Sequence, residues 1–299
     1  MNFVGNKKAV SFIEKTLERG ATSQAYLFSG PESVGKFFLA QAFAKSLINE
    51  GSLRFEDSGA GGLVVDLVVI KPEIEERKGV IKERDITIER VREARKDLAL
   101  FPHSGKRKVL IVDNAHKMNI TSQNAFLKIL EEPNSTSVII LVTHEDSKIL
   151  PTIKSRCQKV NFGLVGREME MEMGSLVGED FAGKYGALAM GRPGLLFEMA
   201  REKERLEYHV GSYEQFRKVF SMDLNQRLSF AEKMSKDVNA AIGTLNVWNW
   251  ILRKEGLEDG GRELGETYLK ISAIEDSMAT LKSTNANPRL VLENLLISI

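Results

Sequence analysis

Gly30, Gly35 and Lys36 stand in the order G-x-x-x-x-G-K, within Gly30-Pro31-Glu32-Ser33-Val34-Gly35-Lys36. Glycines so spaced let backbone N–H groups turn inward around phosphate oxygens. The lysine adds a point charge, and a helix starting there adds its dipole. That is the chemistry of a phosphate-binding P-loop. The next position of a working loop is Ser or Thr, whose hydroxyl ligates Mg²⁺. Here it is Phe37, which has no oxygen. On these residues alone, a Gly-rich strand-to-helix turn with an incidental lysine remains open.

Two further residues could do chemistry. Asp113 ends the run Val109-Leu110-Ile111-Val112, and the C-terminal end of a buried parallel strand is where ligands sit in open α/β sheets. Downstream of a P-loop, such an aspartate orients hydrated Mg²⁺. Arg156 lies in Leu150-Pro151-Thr152-Ile153-Lys154-Ser155-Arg156-Cys157-Gln158 with no obvious partner in sequence. His116 is one of four histidines, none at metal-ligand spacing, and reads as a solvated or core-edge side chain; no metal site is expected. Cys157 is the single cysteine, so it excludes an internal disulfide and reads as a small buried hydrophobe.

The elements that must position these groups follow from periodicity. Residues 6–19 carry Val10, Ile13 and Leu17 on one helical face, with Gly20 as the stop. Tyr26 to Phe28 read as a buried strand, and residues 37–49 as a helix buried on more than one side. Residues 51–62 read as a loop and 63–70 as a second strand ended by Pro72, with Asp66 a turn residue. A charged hairpin or turn spans 73–84, and a helix with Ile88, Val91, Ala94 and Leu98 in step follows Thr87. Lys106-Arg107-Lys108 reads as a solvated loop before the strand 109–113. Thr121 or Ser122 is expected to cap a helix ending at Glu131-Glu132-Pro133. Residues 138–143 form another buried strand, and Val160 and Phe162 a last short one. Alternating strands and helices mean a three-layer α/β domain. Beyond Gly166 the β-branched runs stop. Short helices surround Gly191-Arg192-Pro193-Gly194, and from about 206 to 299 the pattern is helical, with Phe216/Phe220, Phe230/Met234, Val247/Ile251 and Val291/Leu295 at i, i+4.

At 299 residues the chain has length for two or three domains. Apolar content of 42% and charged content of 28% are those of a soluble globular protein. No apolar run nears the ~18 residues of a membrane span, and no signal pattern opens the chain, so a cytoplasmic protein without membrane partners is expected. A net charge of +1 gives no basic field for autonomous DNA binding.

Taken together, the runs Ala25-Tyr26-Leu27-Phe28-Ser29-Gly30-Pro31 with Val34-Gly35-Lys36, Lys108 to Asp113, Asn124-Ala125-Phe126-Leu127-Lys128-Ile129-Leu130-Glu131-Glu132-Pro133 and Leu150 to Cys157 resemble the AAA+ clamp-loader subunits of bacterial DNA polymerase III, most closely the delta-prime branch. Asn285-Ala286-Asn287-Pro288-Arg289 resembles the family's C-terminal end. The likeness is dense over 25–162 and sparse over 165–280. It implies a P-loop AAA+ domain over 1–164, a small helical lid over 165–205, and an all-α collar over 206–299 through which five subunits form a ring. That ring opens a sliding clamp and loads it onto primed DNA. Implied partners are ATPase gamma/tau-like and delta subunits, with the clamp and primer-template DNA reached through the complex. In this picture Arg156 resembles an arginine finger acting in trans on a neighbour's γ-phosphate; the alternative is a surface ion-pair residue.

The departures from the family bear on activity. Hydrolysing members carry Glu after the strand-ending Asp to polarise water; this chain has Asn114. The lid arginine of ATPase members falls near Gly194, two residues from Arg192, which takes no assigned role. Many relatives bind zinc through four cysteines in the segment matching 50–65. None are here, so no zinc is expected. The expectation is a non-hydrolysing subunit needing no cofactor, whose remnant nucleotide site (Gly30, Gly35, Lys36, Asp113) binds Mg-ATP weakly or not at all. The alternative is an active gamma/tau-like ATPase subunit.

Overall fold

The computed structural model describes residues 3–55, 65–77, 80–103, 105–132, 134–166, 168–258, 264–283 and 286–299. They fall into two compact units, one of residues 1–179 with 191–195, the other of 180–190 with 196–299.

The first unit opens with α1 (Lys7–Arg19), which stops where Gly20 turns left-handed (φ 63°) and donates its N–H to Leu17 O. Then come β1 (Ala25–Ser29), α2 (Lys36–Asn49), β2 (Leu67–Ile70), and a hairpin of β3 (Ile74–Arg77) and β4 (Val80–Glu83). They are followed by α3 (Ile88–Ala99), β5 (Lys108–Val112), α4 (Ile120–Glu131), β6 (Ser137–Thr143), α5 (Pro151–Lys154), β7 (Gln158–Asn161) and α6 (Glu168–Val177). The sheet runs β2-β5-β6-β1-β7, parallel throughout. Successive side chains of β5 alternate between two cores. Val109 and Ile111 join Phe28, Phe43 and Ile140 under α1 and α2. Leu110 and Val112 join Phe126, Ile139 and Leu141 under α3 and α4. Burial on both faces is why these strands read as unbroken apolar runs.

Several expectations shift. The strand expected over 63–70 begins at Leu67; Val65 and Asp66 form a turn, and 63–64 lie outside the described residues. Asp66 is fully buried because its carboxylate accepts from the His103 and Gly105 N–H groups at 2.6 and 2.9 Å. Lys108 is not in a solvated loop: it is 8% exposed and begins β5. α4 is capped by Asn119, whose side chain accepts from Ser122 N–H, two or three residues before the expected Thr121 or Ser122. An Asn in extended backbone satisfies an orphan N–H as well as Ser or Thr does. Pro133 and Asn285 lie outside the described residues.

The second unit is all-helical: α7 (Glu179–Ala189), most of α8 (Pro193–Arg201), α9 (Lys203–Val219), α10 (Leu224–Ser235), α11 (Val238–Glu258), α12 (Leu264–Ser283) and α13 (Pro288–Ser298). Its core centres on Trp248, with Phe216, Leu245, Ile274, Leu292 and Leu296. The Trp248 indole N–H donates to Ser212 O at 3.0 Å, so the largest ring is buried without an orphan donor. The expected lid segment 165–205 is divided between the units. Residues 191–195 stay with the first because Val165 N–H donates to Gly191 O and Gly194 N–H to Ser33 O, each at 2.8 Å.

Candidate functional site

The P-loop joins β1 to α2 as its spacing requires. Gly30 (φ 149°) and Gly35 (φ 91°) hold backbone that side chains resist, and Ser33 is left-handed (φ 56°). Packing also demands the glycines. A Cβ at Gly30 would collide with the Phe162 carbonyl, and one at Gly35 would lie 2.9 Å from the Phe3 ring. That ring is part of an aromatic group with Phe38 and Phe55, at centroid distances of 6.2 and 5.3 Å.

Lys36 begins α2 and is buried. Its Nζ donates to the Gly30 carbonyl at 2.8 Å and to the Pro31 carbonyl. Burial pushes its ammonium down to about 8, against the opposing pull of Glu32 and Asp113. The lysine that would meet phosphate is thus turned back on its own loop.

Asp113 follows β5, and its N–H donates to Ile70 O at 2.8 Å, continuing the β2–β5 ladder. That register brings Lys71 alongside. The Lys71 Nζ lies 3.9 Å from an Asp113 carboxylate oxygen and 3.9 Å from the centre of the Phe37 ring. Both positions that would hold Mg²⁺, the residue after Lys36 and the strand-ending aspartate, therefore face one half-exposed ammonium of this chain. An aromatic face and a carboxylate both attract such a cation. Asn114 is left-handed (φ 50°) and donates its N–H to Asp113 Oδ1 at 3.0 Å. Phe37 offers no hydroxyl to a metal, Lys36 is engaged by its own loop, and the Lys71 ammonium stands beside the aspartate.

Beyond Asp113, His116 sits in a 3-10 turn (Ala115–Lys117) and is 5% exposed. Its Nδ1 lies 3.2 Å from Thr143 Oγ1, and its ring stands 4.2 Å from that of His144. Burial, then the neighbouring His144, pushes the His116 imidazole down to about 4. His116 is buried, and no local sequence pattern marks its proximity to His144.

Arg156 lies elsewhere. β7 pairs with β1 so that Gln158 is opposite Tyr26. Gly30 is four residues further along, roughly 13 Å at strand rise. Arg156 precedes β7, at the sheet end away from the P-loop, and with Ser23, Gln24, Leu130 and Cys157 it lines a cleft of about 320 Å³. Cys157 is half-buried, and burial pushes its thiol up to about 12, which disfavours the thiolate. The partner that sequence did not supply is Glu131. Its Oε1 accepts from Arg156 Nη2 at 3.0 Å, and Thr152 O accepts from Nη1 at 3.0 Å. Both side chains of the pair are well exposed, at 39% and 50%.

A parallel sheet with a P-loop turn after β1, an aspartate ending β5, and a helical C-terminal region define an α/β P-loop fold followed by an all-helical unit. The chain belongs to the family described as "DNA polymerase III, delta subunit", whose model matches residues 5–165, more than half of it. It is 33% identical to DNA polymerase III subunit delta' of Pseudomonas aeruginosa over 162 residues, 52% of this chain and 47% of that protein. It is 32% identical to DNA polymerase III subunit tau of Bacillus subtilis over 195 residues, 58% of this chain and 33% of that one. The chain thus spans about half or less of the length of these relatives. Among solved structures, a gamma subunit-related protein of Thermotoga maritima is similar at 21% identity, with 97% of each chain covered and a TM-score of 0.49. No helix among the described residues is long and apolar enough to cross a membrane.

Proposed function

We propose that this chain is a non-hydrolysing subunit of the DNA polymerase III clamp loader, and that Arg156 acts in trans on nucleotide held by a neighbouring ATPase subunit. The observation that carries the first part is the buried Lys36, whose Nζ is engaged by the Gly30 and Pro31 carbonyls of its own loop, beside a Phe37 that offers no hydroxyl. Metal placement and water activation are most of phosphoryl-transfer catalysis, and Phe37 and Asn114 remove one group from each. Gly30, Gly35, Lys36 and Asp113 then serve as a structural remnant that binds nucleotide weakly or not at all. The second part is supported by position and exposure. Arg156 stands at the sheet end away from its own P-loop, held among the described residues by an exposed carboxylate and one carbonyl that a partner's phosphate can replace. Guanidinium suits that exchange because its charge is permanent and its fork matches phosphate oxygens.

In this reading the helices of 206–299 carry contacts to gamma/tau-like and delta subunits, the clamp and primer-template DNA are reached through the complex, and the complex works in the cytoplasm. The 33% likeness to a delta' subunit supports the assignment. The test is a clamp loader reconstituted with wild-type or Arg156→Ala chain, read by ATP turnover and by clamp loading on primed DNA. Loss of loading from an intact complex is expected. Normal loading overturns the trans role, and turnover by the pure chain that vanishes in Lys36→Ala overturns the non-hydrolysing one.

A further inference from the structure

We propose that His116, His144 and Glu145 form a binding site for a divalent transition ion of the zinc class, which clasps the turn after β5 to the turn after β6. The parallel register sets Val112 opposite Leu141, so the chain leaves both strands side by side and delivers the three residues to one place. The Glu145 Oε1 lies 3.7 Å from His116 Nε2 and 3.9 Å from His144 Nε2, and one ligand atom from each residue falls within 4.8 Å of the others. A tetrahedral ion with bonds of about 2.0–2.2 Å holds its ligand atoms roughly 3.3–3.6 Å apart. Two edges of the triangle need only a few tenths of an ångström to close.

Independent features point to a ligand. The His116 side chain is wholly buried, yet among the described residues its Nε2 has no hydrogen-bond partner. Buried polar atoms are rarely left so, and an ion between Nε2 and the Glu145 carboxylate would satisfy it. The outer contacts are those of a ligand set. Thr143 Oγ1 meets His116 Nδ1 at 3.2 Å and also accepts from Glu145 N–H at 3.1 Å. The tautomer that donates Nδ1–H to Thr143 Oγ1 leaves the lone pair of His116 on Nε2 for the ion. Lys148 Nζ holds Glu145 Oε2 at 2.8 Å and leaves Oε1 for the ion. Such second contacts fix ring orientation and carboxylate rotamer. Two imidazoles and one carboxylate favour zinc, cobalt or nickel over the oxygen-seeking Mg²⁺ and Ca²⁺. His144 and Glu145 are part-exposed, at 25% and 38%, so an ion has a route in and water a fourth position. The site uses no cysteine and stands whether or not the chain turns over ATP.

The test uses tag-free full-length chain stripped of metal with chelator. Zn²⁺ is titrated in competition with a chromophoric chelator, and Co²⁺ binding is followed by its visible ligand-field bands. One ion per chain is expected, with a rise in melting temperature. His144→Ala and Glu145→Gln alter part-exposed side chains, and each should weaken binding by about tenfold or more and abolish the thermal rise. Thr143→Val should weaken it by about 10–100-fold through the outer contact. His103→Ala should leave it unchanged. Absence of stoichiometric binding, or binding undiminished in both His144→Ala and Glu145→Gln, overturns the proposal. Circular dichroism of the metal-free variants confirms that they are folded.

Discussion

At the C-terminal end of the parallel sheet, the charges a nucleotide would need are met from within the chain. Lys36, buried, donates to the carbonyls of its own loop, while Asp113 has only the half-exposed Lys71 at 3.9 Å, so the closure rests on Lys36. At the other end, Arg156 is held by Glu131 and one carbonyl, in the open, beside a cleft. The difference is one of exchangeability. A buried lysine is desolvated and fixed by its loop, so releasing it means rebuilding the loop. An exposed ion pair contributes only ~0–1 kcal/mol and changes partner readily. One sheet thus carries an end whose lysine is engaged by its own loop and an end whose arginine is open to exchange.

The largest expected effect tests the available end. In a reconstituted complex, Arg156→Ala should lower hydrolysis at the adjacent ATPase site by roughly 10³-fold, with total turnover falling less. The isolated variant should melt within about 0.5 kcal/mol of wild type, as surface substitutions do. A large stability loss would make Arg156 structural and erase the contrast.

The next tests the closed end through pH. Lys36 titrates at about 8 in the fold against 10.5 when free. Between those values the unfolded chain binds more protons, so stability should rise with pH over about 8–10.5. Relative to Lys36→Met, the wild type should gain on the order of 2–3 kcal/mol across that window. Parallel denaturation curves at pH 8 and 10 measure it, and equal slopes would mean that Lys36 is solvated.

A smaller effect asks what closes that end. Phe37→Thr with Lys71→Ala restores a hydroxyl and removes the half-exposed cation. Calorimetry should show Mg-ATP affinity about tenfold or more above wild type. Micromolar binding by the wild type would break the comparison outright. The smallest belongs to Glu131→Gln, which frees Arg156 and should change stability by no more than ~1 kcal/mol. It should change adjacent-site turnover only a few-fold. If it matched Arg156→Ala, Glu131 would be needed to aim the arginine.

Much of the fold was legible because its causes are local. The apolar, β-branched runs of β5 and β6 announce strands buried on both faces, and Gly30 and Gly35 mark backbone that other residues resist. Caps and edges were read less well. Asn119 rather than Thr121 or Ser122 caps α4, since any short polar side chain in extended backbone can do so. Lys108 is buried because the strand starts one residue earlier than the apolar run. Asp66 was readable as a turn but not as the buried acceptor that holds His103 and Gly105, because its partners lie nearly forty residues away.

The sequence by itself determined the order of the elements, the P-loop turn, the missing hydroxyl at Phe37 and the missing carboxylate at Asn114, since each depends on residue type and near neighbours. Tertiary structure alone decided the pairings. Lys71 reaches Asp113 through the β2–β5 register. Arg156 meets Glu131 across 25 residues. His116 meets His144 and Glu145 because two parallel strands end together. Parallel strands join residues far apart in the chain, and no spacing in the sequence encodes which strand will lie beside which.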